Sequence, residues 1–255
     1  MIVVKRLDEI GCMRASGRIA AEVRDKIAAR AAPGVTTMEL DQYADEVIRG
    51  RGAVSAFLGY RGYPGHVCLS VNDEVVHGVP GRRRLEIGDI VGIDVGVNYE
   101  GYFGDTARTV MVGVSDLDVI RLVATTEEAL GAAIEKARAG NRLSDVSHAI
   151  ETVAADAGFS VVRQYVGHGI GKSLHEDPQV PNFGRPGKGP MLKPGMTLAL
   201  EPMINMGASE VETQADGWTV RTVDRKYSAH FEHTVVVLED GPAEVLTPAE
   251  DSCGQ

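Results

Sequence analysis

The feature that most constrains how this chain can fold is a repeat that carries acidic residues with it. At an offset of 106, Gly34 pairs with Gly140, Glu39 with Asp145, Leu40 with Val146, Val47 with Val153 and Gly52 with Gly158, so one helical pattern occurs twice. At an offset of 107, residues 85–95 (LEIGDIVGIDV) match residues 192–202 (LKPGMTLALEP), which superposes Gly88 on Gly195 and Asp94 on Glu201. Each matched segment is followed by another β-rich stretch with a further acid, Asp105 in GDTARTVMV and Glu232 in FEHTVVVLE. Self-similarity at a fixed spacing marks a duplicated unit. Helices followed by strands in each half predict an α+β fold, with halves over about residues 5–112 and 116–246 of one domain spanning 1–255.

Local signals place the elements. Residues 5–30 have helical composition, Pro33 and Gly34 break it, and Thr36 caps a second helix reaching about Arg51. Later, residues 116–139 read as helix, Gly140 interrupts, and another helix runs from about Leu143 to Ala157 before Gly158. Residues 247–255 (TPAEDSCGQ) are polar and turn-rich, and a loose tail is expected there.

With 44% hydrophobic residues in 255, the chain can bury one sizeable core. The opening MIVVKRLDEI mixes apolar and charged residues, unlike a signal peptide. No apolar run approaches the roughly 20 residues of a membrane span, so no membrane partner is expected and a cytoplasmic location follows by elimination. Cys12, Cys68 and Cys253 stand far apart, as in a reducing compartment. A net charge of −10 argues against nucleic acid. The basic cluster Arg82 to Arg84 follows Pro80 and Gly81 and reads as a solvated turn. No extended apolar stretch is left over once the core is assigned, so a monomer is expected.

Asp94 and Glu201 lie in apolar, strand-like runs, IVGIDVGV and TLALEPMI, where burial is expected. An unpaired buried carboxylate is costly, and the neighbouring sequence offers few cations. Four such acids at one sheet would repel one another, and two divalent ions are the economical way to keep all four ionised. His168, in VGHGIG, can add a nitrogen ligand, its flanking glycines permitting close approach. Mixed oxygen and nitrogen ligation suits manganese, iron, cobalt or zinc better than calcium or magnesium. His77 in NDEVVHGVP and His175 in KSLHEDP lack a second His or Cys at ligand spacing, and near a dinuclear centre each could orient a carbonyl or exchange a proton.

The run SVNDEVVHGVP, then GIDVGV, GDTART, VGHGIG, HEDPQV, LALEPMI and FEHTVVV, in this order and spacing, closely resembles the type I methionine aminopeptidases. The resemblance covers nearly the whole chain from about Gly11 to Val245. It implies the pita-bread fold, two related halves around a metal centre, and removal of the initiator methionine from the N-termini of nascent polypeptides, with a small second residue preferred. Carried over by position, Asp94 would bind one metal, Asp105 and Glu232 would bridge both, and His168 with Glu201 would complete the second site. A bridging water or hydroxide would attack the scissile carbonyl, Glu201 would move its proton, His175 would stabilise the oxyanion and His77 would contact the peptide nitrogen or backbone. The methionine pocket would fall on Tyr60, Tyr63, Cys68 and Trp218. Phe57 and Leu174 depart from the common bacterial pattern of cysteine and phenylalanine, which bears on pocket shape. Family members meet nascent chains near the ribosome, so transient docking through the basic turn is compatible with the resemblance.

The 30 residues between Glu201 and Glu232 leave no room for the helical insertion of type II enzymes. Two rivals share the fold. Prolidases and proline-specific aminopeptidases carry a similar ligand series but usually a large amino-terminal domain, whereas 93 residues precede Asp94. A metal-free pita-bread binding module would have lost ligand positions that are all intact here.

Overall fold

The computed structural model describes residues 1–249. Among the described residues four α-helices, α1 Leu7–Arg30, α2 Thr37–Gly50, α3 Leu117–Lys136 and α4 Leu143–Asp156, form the two expected pairs. Thr36 caps α2, its hydroxyl accepting from the Glu39 N–H at 3.1 Å while the Glu39 carboxylate accepts from the Thr36 N–H at 2.7 Å. At the start of α4 the Asp145 carboxylate likewise accepts from the Arg142 N–H at 2.7 Å.

The repeat extends to individual backbone bonds. Gly34 N–H donates to the Leu85 carbonyl at 2.7 Å and Gly140 N–H to that of Leu192 at 3.0 Å. Gly88 N–H donates to the Val112 carbonyl at 2.8 Å and Gly195 N–H to that of Val237 at 2.9 Å. All four glycines hold left-handed φ between 83° and 101°, which a side chain would oppose.

The strands that matter here are β1 Cys68–Val71, β2 Ile90–Tyr99, β3 Tyr102–Met111, β4 Gly167–Gly169, β5 Glu176–Val180, β6 Thr197–Leu200, β7 Ser228–His230 and β8 Glu232–Val236. One antiparallel sheet runs β2, β3, β8, β6, β4, β5, with β1 and the short strand Val54–Ser55 along the outer edge of β2. The two halves therefore meet inside one sheet, at β3 and β8. Their ladder is short, pairing only Glu232 with Ala107 and His233 with Thr106.

Three threonine hydroxyls lengthen that seam. Thr106 donates to the Glu232 carbonyl at 2.9 Å. Thr109 donates to the His230 carbonyl and accepts from the His230 N–H, both at 2.9 Å. Thr234 does the same for Asp105. Arg24, buried on α1, donates to the Thr106 hydroxyl at 2.6 Å and so carries the helix into this network.

Each helix pair covers one half of one sheet face. Val23 and Ile27 of α1 and Leu40 and Ile48 of α2 pack with Val91, Ile93, Val95 and Val97; Leu122 of α3 and Val146 and Ile150 of α4 pack with Leu198, Leu200 and Val235. Burying each such side chain contributes about 1.5–3 kcal/mol. Side chains alternate along a strand, so with Ile93 and Val95 turned to the helices Asp94 points to the opposite face. Helix α1 crosses β3 at Gly104, where an added Cβ would lie 2.7 Å from the Gly17 nitrogen.

Thr247, expected to begin a loose tail, is fully buried instead, and its hydroxyl bonds His233 Nδ1 at 2.9 Å and accepts from the Thr234 N–H at 3.2 Å. Apolar context alone did not show this polar anchor; the rest of that expectation, from residue 250 on, lies outside the described residues. Within the basic turn, Arg83 pairs with Glu74 at 3.4 Å and Arg84 donates to the Gly34 carbonyl at 2.6 Å, which ties two of the three locally. Among the described residues no helix is long and apolar enough to cross a membrane.

Candidate metal centre and its adjoining pocket

The fold brings all five predicted ligand positions to one cavity of about 170 Å³. Asp94 and Asp105 come from adjacent strands, Asp94 opposite Ala107 and Asp105 opposite Gly96, so they are diagonal neighbours across the ladder. Glu232 opens β8, Glu201 directly follows β6, and His168 is the middle residue of β4. Asp105, His168 and Glu232, all buried, place ligand atoms within 4.8 Å of one another. Glu201 Oε1 lies 3.6 Å from His168 Nε2.

The histidine is preset for ligation. A carbonyl only accepts, so the 2.8 Å contact between His168 Nδ1 and the Gly169 carbonyl puts the ring proton on Nδ1 and leaves the Nε2 lone pair facing the acids. The flanking glycines also answer to packing. A Cβ on Gly167 would stand 2.5 Å from the Ala199 carbonyl oxygen, and one on Gly169 would overlap the Asp177 carbonyl. They let neighbouring strands close on β4.

The electrostatics are those of a site that calls for cations. Burial, then the Asp105 charge, pushes Asp94 and Glu201 well above the usual carboxylate range; burial, then Asp105 and Glu201, does the same to Glu232. Asp105 is raised to about 7 by burial, held back by the Thr106 N–H and by Asp94. Burial, then the neighbouring His175, takes His168 down to about 3, so its ring is neutral. Asp94 Oδ1, Asp105 Oδ1 and Glu232 Oε1 are buried with no hydrogen-bond partner. Acids raised chiefly by burial, orphaned oxygens and one free imidazole nitrogen fit divalent metal, which would supply the missing partners.

The predicted pocket residues line the same cavity: Tyr60, Tyr63, Cys68, His77, His175 and Trp218, joined by Phe57 and Leu174. Strand pairing explains the long-range members. Cys68 stands opposite Asp94 in the β1–β2 ladder. Val76 pairs with Val220, which carries His77 and Trp218 to the same wall with ring centroids 6.4 Å apart. Trp218 packs edge-on against Tyr63 at 5.2 Å, and the Tyr63 hydroxyl is consumed by the Gly78 carbonyl at 2.8 Å. Burial, then Asp94, pushes the Cys68 thiol up, so it lines the wall as a neutral group. His175 stacks on Tyr60 at 5.4 Å, its Nδ1 2.9 Å from the Tyr60 hydroxyl, and its ring lies 4.2 Å from that of His168.

Two residues near the cavity escaped the sequence reading. His230, 3% exposed, puts Nε2 3.9 Å from Glu201 Oε2 and gives that nitrogen no hydrogen-bond partner. A histidine two positions before an acid, in a strand-like run, was a usable signal. Arg61 lines the cavity mouth from an exposed turn, where apolar patterning says nothing.

A family model, "Metallopeptidase family M24", matches residues 11–239. The chain belongs to this metallopeptidase family. It is 51% identical over 241 residues to methionine aminopeptidase 1 of Bacillus subtilis, covering 94% of this chain and 97% of that one. Among solved structures, the methionine aminopeptidase of Thermotoga maritima superposes with a TM-score of 0.95 at 45% identity, covering 97% of this chain and 99% of that one. Prolidase from Pyrococcus furiosus superposes at a TM-score of 0.80 and 23% identity over 97% of this chain but 66% of its own, a likeness of fold alone. The pita-bread architecture of these neighbours agrees with the α+β fold and its two related halves.

Proposed function

We propose that this M24 metallopeptidase is a methionyl aminopeptidase that releases the initiator methionine from nascent proteins and peptides whose second residue is small. The observation that carries the reading is the shared cavity: the orphaned carboxylates around His168 Nε2 open directly onto the aromatic and thiol-lined pocket. An unbranched, polarisable thioether side chain suits the faces of Tyr63, Cys68 and Trp218.

Asp94, Asp105, His168, Glu201 and Glu232 are the residues that would hold two divalent ions, with manganese, iron, cobalt or zinc matching the donor set. Bound there, the ions supply Lewis acidity, a water of lowered pKa and an anchor for the free α-amino group. Glu201, which lines the cavity, takes a proton from the attacking water and returns it to the leaving amine. The Tyr60 hydroxyl bonds His175 Nδ1 at 2.9 Å; with that hydroxyl as the donor, the proton of the neutral ring stands on Nε2, free to meet the carbonyl oxygen as charge develops. His77, held neutral by burial with a pKa of about 4, offers its ring to the peptide nitrogen or backbone. Phe57 and Leu174 shape the pocket and set how closely the methionine is gripped. The enzyme acts as a cytoplasmic monomer on N-termini emerging from the ribosome, with any ribosome contact transient.

The test is a peptide assay on metal-stripped protein resupplied with manganese or cobalt. Met-Ala-Ser should lose methionine only with metal, and an Asp105→Asn variant should be inactive. Cleavage confined to Ala-Pro-Ala would move the chain to proline-specific chemistry, and no cleavage of either would leave a binding module.

A further inference from the structure

The catalytic cavity continues into a groove of about 520 Å³ that shares Tyr60, Arg61, His168 and His175 with it and runs on past Glu176, Asp177 and Gln179. Both acids of this groove are already engaged. Glu176 holds Lys5 Nζ at 2.6 Å, and Asp177 pairs with the α-amino group of Met1. Arg61 is different: its guanidinium stacks 5.4 Å from the Tyr60 ring, and no carboxylate pairs with it among the described residues.

Its backbone is held in place rather than free. Arg61 has φ +48°, between Gly59 at +79° and Gly62 at +89°. The turn is closed by Gly62 N–H on the Gly59 carbonyl at 3.1 Å, Tyr63 N–H on that of Tyr60 at 2.9 Å and Gly59 N–H on that of Tyr63 at 2.9 Å. A long side chain kept in the left-handed region, where glycine would be easier, points to a use for that side chain.

We propose that this groove holds the peptide beyond the cleaved bond, and that Arg61 gives it a preference for a carboxylate side chain on the substrate's third residue. The proposal rests on the aminopeptidase reading. With methionine in the aromatic pocket and its carbonyl at His175, the second residue passes the His168 and His175 rim. An extended chain advances about 3.3 Å per residue, which carries the third residue beside Arg61. A guanidinium with no carboxylate partner at this junction attracts an acidic side chain locally, against the general repulsion of a protein of net charge −10.

The experiment compares kcat/KM for Met-Ala-Glu-Ser-amide, Met-Ala-Lys-Ser-amide and Met-Ala-Gln-Ser-amide with the metal-loaded enzyme at low salt. Amidation removes the competing terminal carboxylate. The wild type should favour Glu over Lys by about two- to five-fold, the range of an exposed ion pair, chiefly through KM. Added salt at about 0.5 M should shrink the ratio. Arg61→Lys should keep part of the preference and Arg61→Glu should invert it; because each ratio is taken within one enzyme, a general loss of rate cancels. A wild-type ratio of one, or the same ratio in Arg61→Glu, overturns the assignment while methionine release from the Gln peptide still upholds the parent activity. No release from the Gln peptide overturns both.

Discussion

Thr234 and Asp105 are joined twice: the Thr234 hydroxyl accepts from the Asp105 N–H at 3.0 Å and donates to the Asp105 carbonyl at 2.8 Å. One side chain of the second half thereby completes the backbone bonding of a candidate ligand in the first, at the seam where the strand ladder is short. Thr234→Val keeps the shape and leaves two buried backbone groups unpaired. A loss of about 1–3 kcal/mol is expected in denaturant unfolding of the metal-free protein. A change within error would mean that the seam does not depend on this hydroxyl.

Asp105 contributes to the pH behaviour of the metal-free protein alongside Asp94, Glu201 and Glu232, whose carboxyls burial also raises. Its folded pKa of about 7 lies above the ordinary value of about 4, so the folded state holds this proton more tightly than the unfolded chain does. The associated stability is fully present below about pH 4 and is lost as pH rises through about 7. Relative to Asp105→Asn, the metal-free wild type should weaken between about pH 5 and 8, and saturating manganese should abolish the trend. Metal binding should also release more protons at about pH 6 than at about pH 8.5, which calorimetry in buffers of different ionisation enthalpy reads directly.

Gly169→Ala places a methyl group against the Asp177 carbonyl, on the strand that aims His168. Overpacking of this kind costs about 1–3 kcal/mol and shifts backbone. The variant should fold with a lowered Tm and bind manganese more weakly than the wild type. Alanine at the open turn glycine Gly217, whose Cβ position is uncrowded although φ is +79°, should leave metal affinity unchanged.

Trp218→Ala removes one wall of the pocket without touching a candidate ligand. Loss of a buried aromatic contact of about 1.5–3 kcal/mol should raise KM for Met-Ala-Ser by about ten-fold or more and leave metal affinity unchanged. An unchanged KM would place the methionine side chain elsewhere.

Much of this was legible because burial of charge is so costly. Asp94 and Glu201 in apolar runs could be read as needing partners, and the repeat showed that they occupy matching places. The glycines of the repeat also spoke plainly, since Gly34 and Gly140 terminate equivalent helical stretches with equivalent backbone bonds. The threonines did not. Thr106, Thr109 and Thr234 look like ordinary β-formers, and their function depends on which strand lies alongside, a relation spanning more than a hundred residues. The carbonyls crowding Gly167 and Gly169 belong to other strands, β5 and β6, and Arg61 sits in a turn without pattern. Contacts between distant strands are what a single sequence conceals.

Five side chains from both halves are proposed to hold divalent metal against the aromatic pocket. Anomalous diffraction from crystals soaked in manganese, collected above and below the absorption edge, tests this most directly. Two peaks enclosed by Asp94, Asp105, His168, Glu201 and Glu232 are the expected result. An empty cluster at saturating manganese, or peaks only at surface carboxylates, would contradict it.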